Sequence, residues 1–263
     1  MPVPPEFARS GPAPLALVTG AARRIGAALA TTLARDGFRV ALHYHRSQAE
    51  AEELAARLTA EGCPPPLCVG ADLTDPQAVA GLIDALPEAP VVLVNNASLF
   101  EEDGLADFTL ERWERQLAVN LRAPAQLTQA FARRLPQGAA GLIVNLSDAK
   151  LAFPNPDFFT YTVSKGGLAW LTELAARALA PSIRVNAIAP AVTLVSGAQS
   201  RANFAQAHVR NALRRGVDVE HLAGALRYLV ATPTVTGQTL VVDAGQRFLG
   251  LTRDVAYVVE ERT

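Results

Sequence analysis

The chain has 263 residues, of which 50% are hydrophobic, and is therefore long enough to bury a large core in one domain. Its formal net charge of −1 argues against nucleic acid or an anionic membrane surface as the main partner. No apolar run reaches the ~18 residues of a membrane span, and the first residues lack a basic-then-apolar signal pattern, so we expect a soluble cytoplasmic protein.

The predicted elements alternate along the chain between strands and helices. Residues 1–14 contain five prolines and are expected to form a poorly ordered tail, followed by one domain over residues 15–263. Apolar runs predict strands at residues 15–19, 39–44, 67–69, 91–94, 142–146, 183–187 and 240–242. Helices are predicted on a stripe of Ile25, Leu29 and Leu33 and at residues 48–60, 76–86, 110–135, 160–179 and 219–230. This alternation predicts an α/β fold with a doubly wound parallel sheet of about seven strands and helices on both faces.

The two cysteines give no sign of a metal site. Cys63 and Cys68 flank three prolines, and no further cysteine completes a four-thiolate zinc site. Both are expected to be free thiols, as in a reducing compartment.

Polar clusters follow the carboxyl ends of the predicted strands. In chain order they are GAARRIG, HYHRS, Asp72, NNASLF, SDAK and APAVT, one cluster after each of the first six strands. Ligands of doubly wound sheets bind beyond the carboxyl ends of the strands. The six clusters therefore predict a shared binding crevice.

The first cluster fits a nucleotide phosphate site. Gly20 and Gly26 permit the tight turn that brings backbone N–H groups and a helix N-terminus to a pyrophosphate. Arg24 occupies the position where a third glycine is expected, and its side chain either reaches a phosphate or is solvated.

The second cluster indicates NADPH as the cofactor. No carboxylate is present to accept from a ribose 2′-hydroxyl, whereas His45, Arg46 and Ser47 offer donors for a 2′-phosphate. A metal bound by His43 and His45 is disfavoured because no nearby side chain completes a ligand set. The predicted cofactor-binding residues are Gly20, Arg24, Ile25, Gly26, Tyr44, His45, Arg46, Ser47, Asp72, Leu73, Asn96, Ala97, Ser98, Lys165, Pro190 and Val192.

Tyr161 is the candidate proton donor. Tyr161 and Lys165 are four residues apart and project from one face of a predicted helix, unless they merely decorate its surface. A nearby ammonium favours the phenolate and lowers the tyrosine pKa from its reference of about 10.

Two side chains near strand ends have two possible roles each, and a third candidate, Asn120, lies inside a predicted helix. The amide of Asn96 fixes either the cofactor or the backbone of a neighbouring strand, and Phe100 belongs either to the core or to a stacking surface for a planar substrate. Asn120 lies inside a predicted helix with Pro124 close behind it, so we expect an irregular helix there, in which Asn120 at least caps freed backbone groups.

The motifs TGAARRIG, NNAS, Asn120, YTVSK and GQTLVVDAG together resemble the short-chain dehydrogenase/reductase family from Leu15 to Gly245. The resemblance implies a Rossmann-type sheet, hydride transfer from a nicotinamide and a homotetramer. It further implies that Tyr161 donates the proton, that Lys165 lowers the Tyr161 pKa and holds the nicotinamide ribose, and that Asn120 anchors a proton-relaying water.

Asp148 stands where most of that family has a serine, 13 residues before the tyrosine. With Arg24, HYHRS and the NNAS-x-F pattern, it resembles the pteridine reductase branch, whose bacterial dihydromonapterin reductases share the aspartate. The resemblance implies that Asp148 and Tyr161 deliver protons to pterin nitrogens, that Phe100 stacks on the pterin, and that Arg24 faces substrate and phosphates. Asp148 is alternatively a simple turn cap.

The sequence therefore predicts an NADPH-dependent reductase of a dihydropterin or dihydrofolate. Two alternatives stay open: a carbonyl reductase of the same family, and a non-catalytic NADPH-binding sensor. Ala191 replaces the usual glycine, and residues 150–157 differ from pteridine reductases. Residues 248–263 are expected either to pack across a subunit interface or to be disordered.

Overall fold

The computed structural model describes residues 2–8, 11–196 and 199–260. At its centre is a parallel sheet of seven strands in the order β3-β2-β1-β4-β5-β6-β7. All seven predicted strands are confirmed, and the predicted bounds of β2 match the structure. The strands are β1 Leu15–Val18, β2 Arg39–Tyr44, β3 Leu67–Gly70, β4 Val92–Asn95, β5 Gly141–Leu146, β6 Ile183–Pro190 and β7 Thr239–Val242.

Nine α-helices are present in the described part of the chain. They are α1 Arg24–Arg35, α2 Gln48–Ala60, α3 Pro76–Leu82, α4 Leu110–Leu117, α5 Ala123–Arg134, α6 Phe159–Leu179, α7 Arg201–His208, α8 Val219–Ala231 and α9 Val255–Glu260. A π-helical turn, Ala118–Arg122, joins α4 to α5, which confirms the irregularity expected near Asn120. Helices α7 and α9 are absent from the sequence prediction, and α3 ends four residues before its predicted end.

Helices cover both faces of the sheet. Alternate residues of β1 point to opposite sides, so Ala16 and Val18 join one core while Leu15 and Leu17 join the other. The first core packs against α1, α2 and α8, and the second against α3, α5 and α6. The predicted doubly wound α/β architecture is confirmed.

The order of the strands reverses beside β1. Successive strands run from β1 to β2 and β3 on one side, and from β4 to β7 on the other. The loops after β1 and β4 therefore diverge and leave a crevice between them. This crevice is where the predicted polar clusters converge.

The proline-rich start of the chain is packed onto the sheet. Phe7 is 1% exposed and meets Phe38 edge-on, with ring centres 6.1 Å apart. Glu6 forms a 2.8 Å ion pair with Arg184 of β6. The expected poorly ordered tail is therefore wrong for residues 4–8, because one buried aromatic ring and one ion pair hold this segment. The division at residue 14 stays a prediction.

Within the described residues, none of the helices combines the length and apolar character needed to cross a bilayer. The same part of the chain brings together no group of three His, Cys, Asp or Glu side chains placed to hold a metal ion. Cys63 and Cys68 are free thiols, as expected.

Candidate active site

A cavity of about 880 Å³ opens beyond the carboxyl ends of β1, β4, β5 and β6. Its wall brings together most of the predicted site residues: Gly20, Arg24, Ile25, Gly26, Asn96, Ala97, Ser98, Phe100, Asp148, Tyr161, Lys165, Pro190 and Val192. The remaining predicted residues do not line this cavity: Tyr44 ends β2, His45, Arg46 and Ser47 follow it, Asp72 and Leu73 follow β3, and Asn120 is bonded to the loop after β4.

The turn after β1 depends on its two glycines. Gly20 has a φ of +62°, a conformation that side-chain-bearing residues rarely adopt. A Cβ on Gly26 would lie 2.1 Å from the Gly20 carbonyl oxygen. Asn96 holds the same turn, since its Nδ2 donates to the carbonyl of Thr19 at 2.9 Å and of Gly20 at 3.2 Å. Of the two roles considered for Asn96, the geometry fits support of neighbouring backbone.

His43 supports this turn from β2, and sequence reasoning missed that role. Its Nδ1 accepts from the Gly20 N–H at 3.1 Å, and its Nε2 lies 3.2 Å from the Ala71 carbonyl oxygen. Burial lowers the pKa of His43 to about 4, so the ring is neutral near pH 7. The available signal was a histidine inside an otherwise apolar strand.

A second missed residue, Arg23, reaches from the turn after β1 to the segment that follows β2. Its guanidinium donates to Ser47 Oγ at 2.5 Å and forms a 2.8 Å ion pair with Glu50. Arg46 is exposed at the same strand end. The GAARRIG cluster predicts a role for Arg24 and does not distinguish Arg23, whose partners follow another strand.

The other predicted residues after β2 and β3 have local partners. His45 Nε2 lies 3.5 Å from Asp72 Oδ2. Asp72 Oδ1 accepts from the backbone N–H of Thr74 at 2.8 Å, and this bond holds the pKa of Asp72 below its usual value. Leu73 is buried in the core at 5% exposure.

Arg24 connects the glycine turn to the loop after β6. It has a φ of +57°, the left-handed conformation for which glycine was expected at this position. Its side chain donates to the Val195 carbonyl oxygen at 2.7 Å. The strained backbone thus directs a cation across the mouth of the cavity.

Tyr161 and Asp148 form a hydrogen-bonded pair at the cavity wall. The Tyr161 hydroxyl donates to Asp148 Oδ2 at 2.6 Å, while Asp148 Oδ1 accepts from the Lys150 N–H at 2.8 Å. Asp148 therefore caps the turn after β5 with one oxygen and contacts the candidate proton donor with the other. The geometry agrees with a turn cap, and the role of Asp148 in proton delivery stays a prediction.

The expected lowering of the Tyr161 pKa is wrong for this arrangement. Burial, followed by the charge of Asp148 and its hydrogen bond, raises the Tyr161 pKa well above its usual value. Lys165 Nζ lies 5.6 Å from the centre of the Tyr161 ring and donates to the Leu146 carbonyl at 2.7 Å. Burial lowers the pKa of Lys165 to about 8.

Asn120 is fully engaged behind the site. Its Oδ1 accepts from Leu99 N at 2.8 Å and Ser98 Oγ at 3.2 Å, and its Nδ2 donates to Leu99 O at 2.9 Å and Ser164 Oγ at 3.0 Å. The π-helical turn thus ties the β4 loop to α6, the helix that carries Tyr161. These partners lie in the β4 loop and on α6 and are not the freed backbone groups of its own helix that Asn120 was expected to cap. The water-anchoring role stays a prediction.

Aromatic side chains form a row from Tyr161 to the outer edge of the cavity. Phe100 meets Tyr161 edge-on, with ring centres 4.7 Å apart, and stacks on Phe158 at 4.2 Å. Phe158 in turn stacks on Tyr257, with ring centres 5.9 Å apart. Phe100 is 38% exposed and lines the cavity, so part of its ring is accessible to a ligand. Sequence reasoning missed Phe158 and Tyr257.

The C-terminal segment packs across the cavity of its own chain. Leu251 and residues 253–257 line the wall, and the Asn203 amide donates to the Ala256 carbonyl at 2.8 Å. The disorder considered for residues 248–263 is therefore wrong for residues 248–259. Residues 261–263 lie outside the described part of the chain.

The known proteins that this chain resembles are reductases and dehydrogenases by name. The family described as enoyl-(acyl carrier protein) reductase matches residues 20–247. The putative ketoacyl reductase 2 of the granaticin polyketide synthase from Streptomyces violaceoruber is 36% identical over 247 residues, which cover 90% of this chain and 97% of that protein.

Two solved structures extend the comparison. FolM alternative dihydrofolate reductase 1 from Brucella suis, in complex with NADP, has a TM-score of 0.86 and 39% identity, covering 90% of this chain and 95% of the other. A short-chain dehydrogenase from Burkholderia cenocepacia, also in complex with NADP, has a TM-score of 0.78 and 34% identity, covering 88% and 96%. The similarity thus extends over almost the whole of each protein.

Proposed function

Because this chain belongs to the short-chain dehydrogenase/reductase family, we propose that it is an NADPH-dependent oxidoreductase of the pteridine reductase-like branch. Its proposed substrate is a dihydropterin or dihydrofolate, of which it reduces a C=N bond. The observation that carries this proposal is the 2.6 Å hydrogen bond between Tyr161 and Asp148.

The carboxylate of Asp148 suits C=N chemistry better than C=O chemistry. Reduction of a ketone builds negative charge on oxygen, and an ionised carboxylate beside the proton donor opposes that charge. An imine-like nitrogen is basic enough to be protonated before hydride reaches the carbon, so that no negative charge develops on the substrate during C=N reduction. The Tyr161–Asp148 pair therefore favours an imine-like substrate.

The donor groups around the crevice fit NADPH. The N–H groups of the glycine turn and the start of α1 suit the pyrophosphate, while Arg23, Arg46 and Ser47 suit the 2′-phosphate. NADPH, when bound, supplies the hydride. The NADP complexes of the similar solved structures support this assignment.

The proton step belongs to Tyr161. Its raised pKa keeps the hydroxyl protonated until a basic substrate nitrogen accepts the proton. The phenolate then formed lies beside Asp148, and the Lys165 ammonium, 5.6 Å from the ring centre, offsets part of the resulting negative charge. Arg24 and Phe100, which line the same cavity, bind the substrate ring in this proposal.

The decisive experiment follows NADPH absorbance with purified protein and two substrate panels. Dihydrobiopterin, dihydromonapterin and dihydrofolate form one panel, and ketones with a 3-oxoacyl thioester form the other. We expect turnover of at least one pterin, with a loss of about 100-fold or more in Asp148→Ser. Tyr161→Phe should also abolish turnover while NADPH affinity stays within about threefold.

A carbonyl reductase is the second candidate, and its support is the similarity to a putative ketoacyl reductase. Ketone turnover without pterin turnover would establish it and leave Asp148 as a cap. A non-catalytic NADPH-binding sensor, the remote alternative, is opposed by the buried Tyr161 and Lys165 in the cavity wall. Equal activity of wild type and Tyr161→Phe would refute the proton-donor role.

We also propose a cytoplasmic homotetramer. Two separate apolar surfaces support the assembly. One is a stripe on α6 formed by Val163, Trp170 and Leu174, and the other lies at the β7 edge of the sheet, where Val241 and Phe248 are exposed. Two unlike self-contacts are what a tetramer with dihedral symmetry requires.

A further inference from the structure

The outer end of the cavity is built by two segments that are distant in sequence. One is the loop that follows Asp148 and runs to Phe158, and the other is the C-terminal segment, residues 251–257. The aromatic row leads from Tyr161 through Phe100 and Phe158 to Tyr257 of that segment. A planar substrate whose reacting atoms lie at Tyr161 therefore extends toward the C-terminal segment.

Charged contacts fix the two segments against each other. Asp157 accepts from Arg253 Nε at 2.9 Å and from the Asp254 N–H at 2.6 Å. Lys150 donates to the Asp157 carbonyl, and Tyr257 donates to Glu102. The wall is thus held by several independent bonds, and its side chains are placed before any substrate arrives.

Asp254 has hydrogen-bonding capacity directed at this wall. Its Oδ1 accepts from the Ala256 N–H at 3.1 Å, and Oδ2 forms a 3.7 Å ion pair with Lys150 Nζ and can accept from a further donor. The side chain is 20% exposed, and its burial raises the Asp254 pKa. A ligand hydroxyl that donates to Oδ2 would therefore displace little water from Asp254 and would form a charge-assisted hydrogen bond.

We infer that Asp254 and Tyr257 are specificity-determining residues, which bind the side chain that the substrate ring carries at its end away from Tyr161. Asp254 accepts from hydroxyl groups of that side chain, and Tyr257 covers it. This inference rests on the proposed function. A side chain with hydroxyl groups suits Asp254 better than an anionic one, because an ionised carboxylate accepts hydrogen bonds from hydroxyls but has no donor for an anion.

The test compares two dihydropterins that differ only at the side chain. Dihydrobiopterin carries hydroxyl groups, and the second compound carries a methyl group instead. In Asp254→Asn we expect KM for dihydrobiopterin to rise about tenfold, since a bond to a charged acceptor becomes a neutral one. KM for the methyl compound and for NADPH should stay within about twofold. Tyr257→Leu should raise KM for dihydrobiopterin by a similar factor.

Thr252→Ala is the matched control, because Thr252 lies in the same segment, is exposed and is not part of the described cavity wall. All variants are checked for thermal melting and NADPH affinity. Equal KM changes for the two pterins, or no change for either, would overturn the inference while the proposed function stands. If wild type reduces neither pterin, the proposed function fails and the inference fails with it.

Discussion

At the scale of single residues, the neutral His43 links the cofactor turn to protein stability. The pKa of His43 is about 4 in the folded state and about 6.5 in the unfolded state, so between these pH values His43 binds a proton in the unfolded chain but not in the folded one. Stability is therefore complete above pH 6.5 and decreases as the pH falls toward 4, by about 3 kcal/mol for this group. Thermal melting between these pH values measures the loss. In His43→Gln, whose side chain does not titrate, the melting temperature should change less over the same pH range. If the melting temperature of the variant depends on pH as strongly as that of the wild type, His43 is not the group responsible.

Arg23 gives a prediction about cofactor choice that the sequence motifs alone do not supply. Because Arg23 contacts Ser47 at the end of β2, Arg23→Ala should weaken NADPH binding by about tenfold and NADH binding by less than about twofold. Arg46→Ala should have the same selective effect, and Arg177→Ala, on the outer surface of α6, serves as control. Dissociation constants from fluorescence titration give both ratios. Equal losses for the two cofactors would exclude a 2′-phosphate role.

The sequence was sufficient to predict which residues belong to the site where they lie in a local motif. It was not sufficient to predict which contacts those residues make. Tyr161, Asp148 and Lys165 were found from their order and spacing, and all three meet at the cavity. The spacing suggested that Lys165 controls the Tyr161 pKa, yet burial and Asp148 dominate it. Spacing along a helix says which residues share a face, but it says nothing about water exclusion or about a carboxylate 13 residues away.

At the scale of elements, the first residues of the chain act as part of the core. Phe7→Ala should lower the free energy of unfolding by about 3 kcal/mol, because it removes a ring that is 1% exposed. Denaturant unfolding measures the change. Leu105→Ala, at a residue that is 72% exposed, should change it by less than about 0.5 kcal/mol. If both variants unfold alike, the segment does not contribute to the core.

Prediction of elements succeeded where the hydrophobic pattern was long or bounded by turn residues. Strand β2 has a central apolar run and lies between Gly37 and the polar residues from His45 onward, and its bounds were predicted correctly. Helix α9 was missed because its stabilising contacts are tertiary, with Val255 and Val259 packing near Ala207 of α7. Phe158 has a left-handed backbone conformation, with a φ of +53°, which is uncommon for phenylalanine. The position of its ring could therefore not be predicted from the sequence.

At the scale of the whole molecule, the proposed tetramer explains why a chain with a well-filled core leaves large apolar side chains in solvent. Trp170 is 68% exposed and Leu174 is 60% exposed on one face of α6. Phe248, which is 71% exposed, lies with the other surface near the β7 edge. A stable protein interface buries about 800 Å² on each partner, which requires several large apolar side chains to be buried together.

The proposed tetramer would also connect assembly to the candidate site, because α6 carries the exposed Trp170 and the buried Tyr161. Trp170→Glu places a charge in the proposed α6 contact and should convert tetramers to dimers, as measured by mass photometry. Phe248→Glu should instead disrupt the contact at the β7 edge and leave dimers joined through α6. Tyr228→Glu, at a half-exposed residue of α8 outside both surfaces, is the control and should stay tetrameric. If wild-type protein is monomeric at micromolar concentration, the proposed assembly is refuted, and the apolar surfaces need another partner.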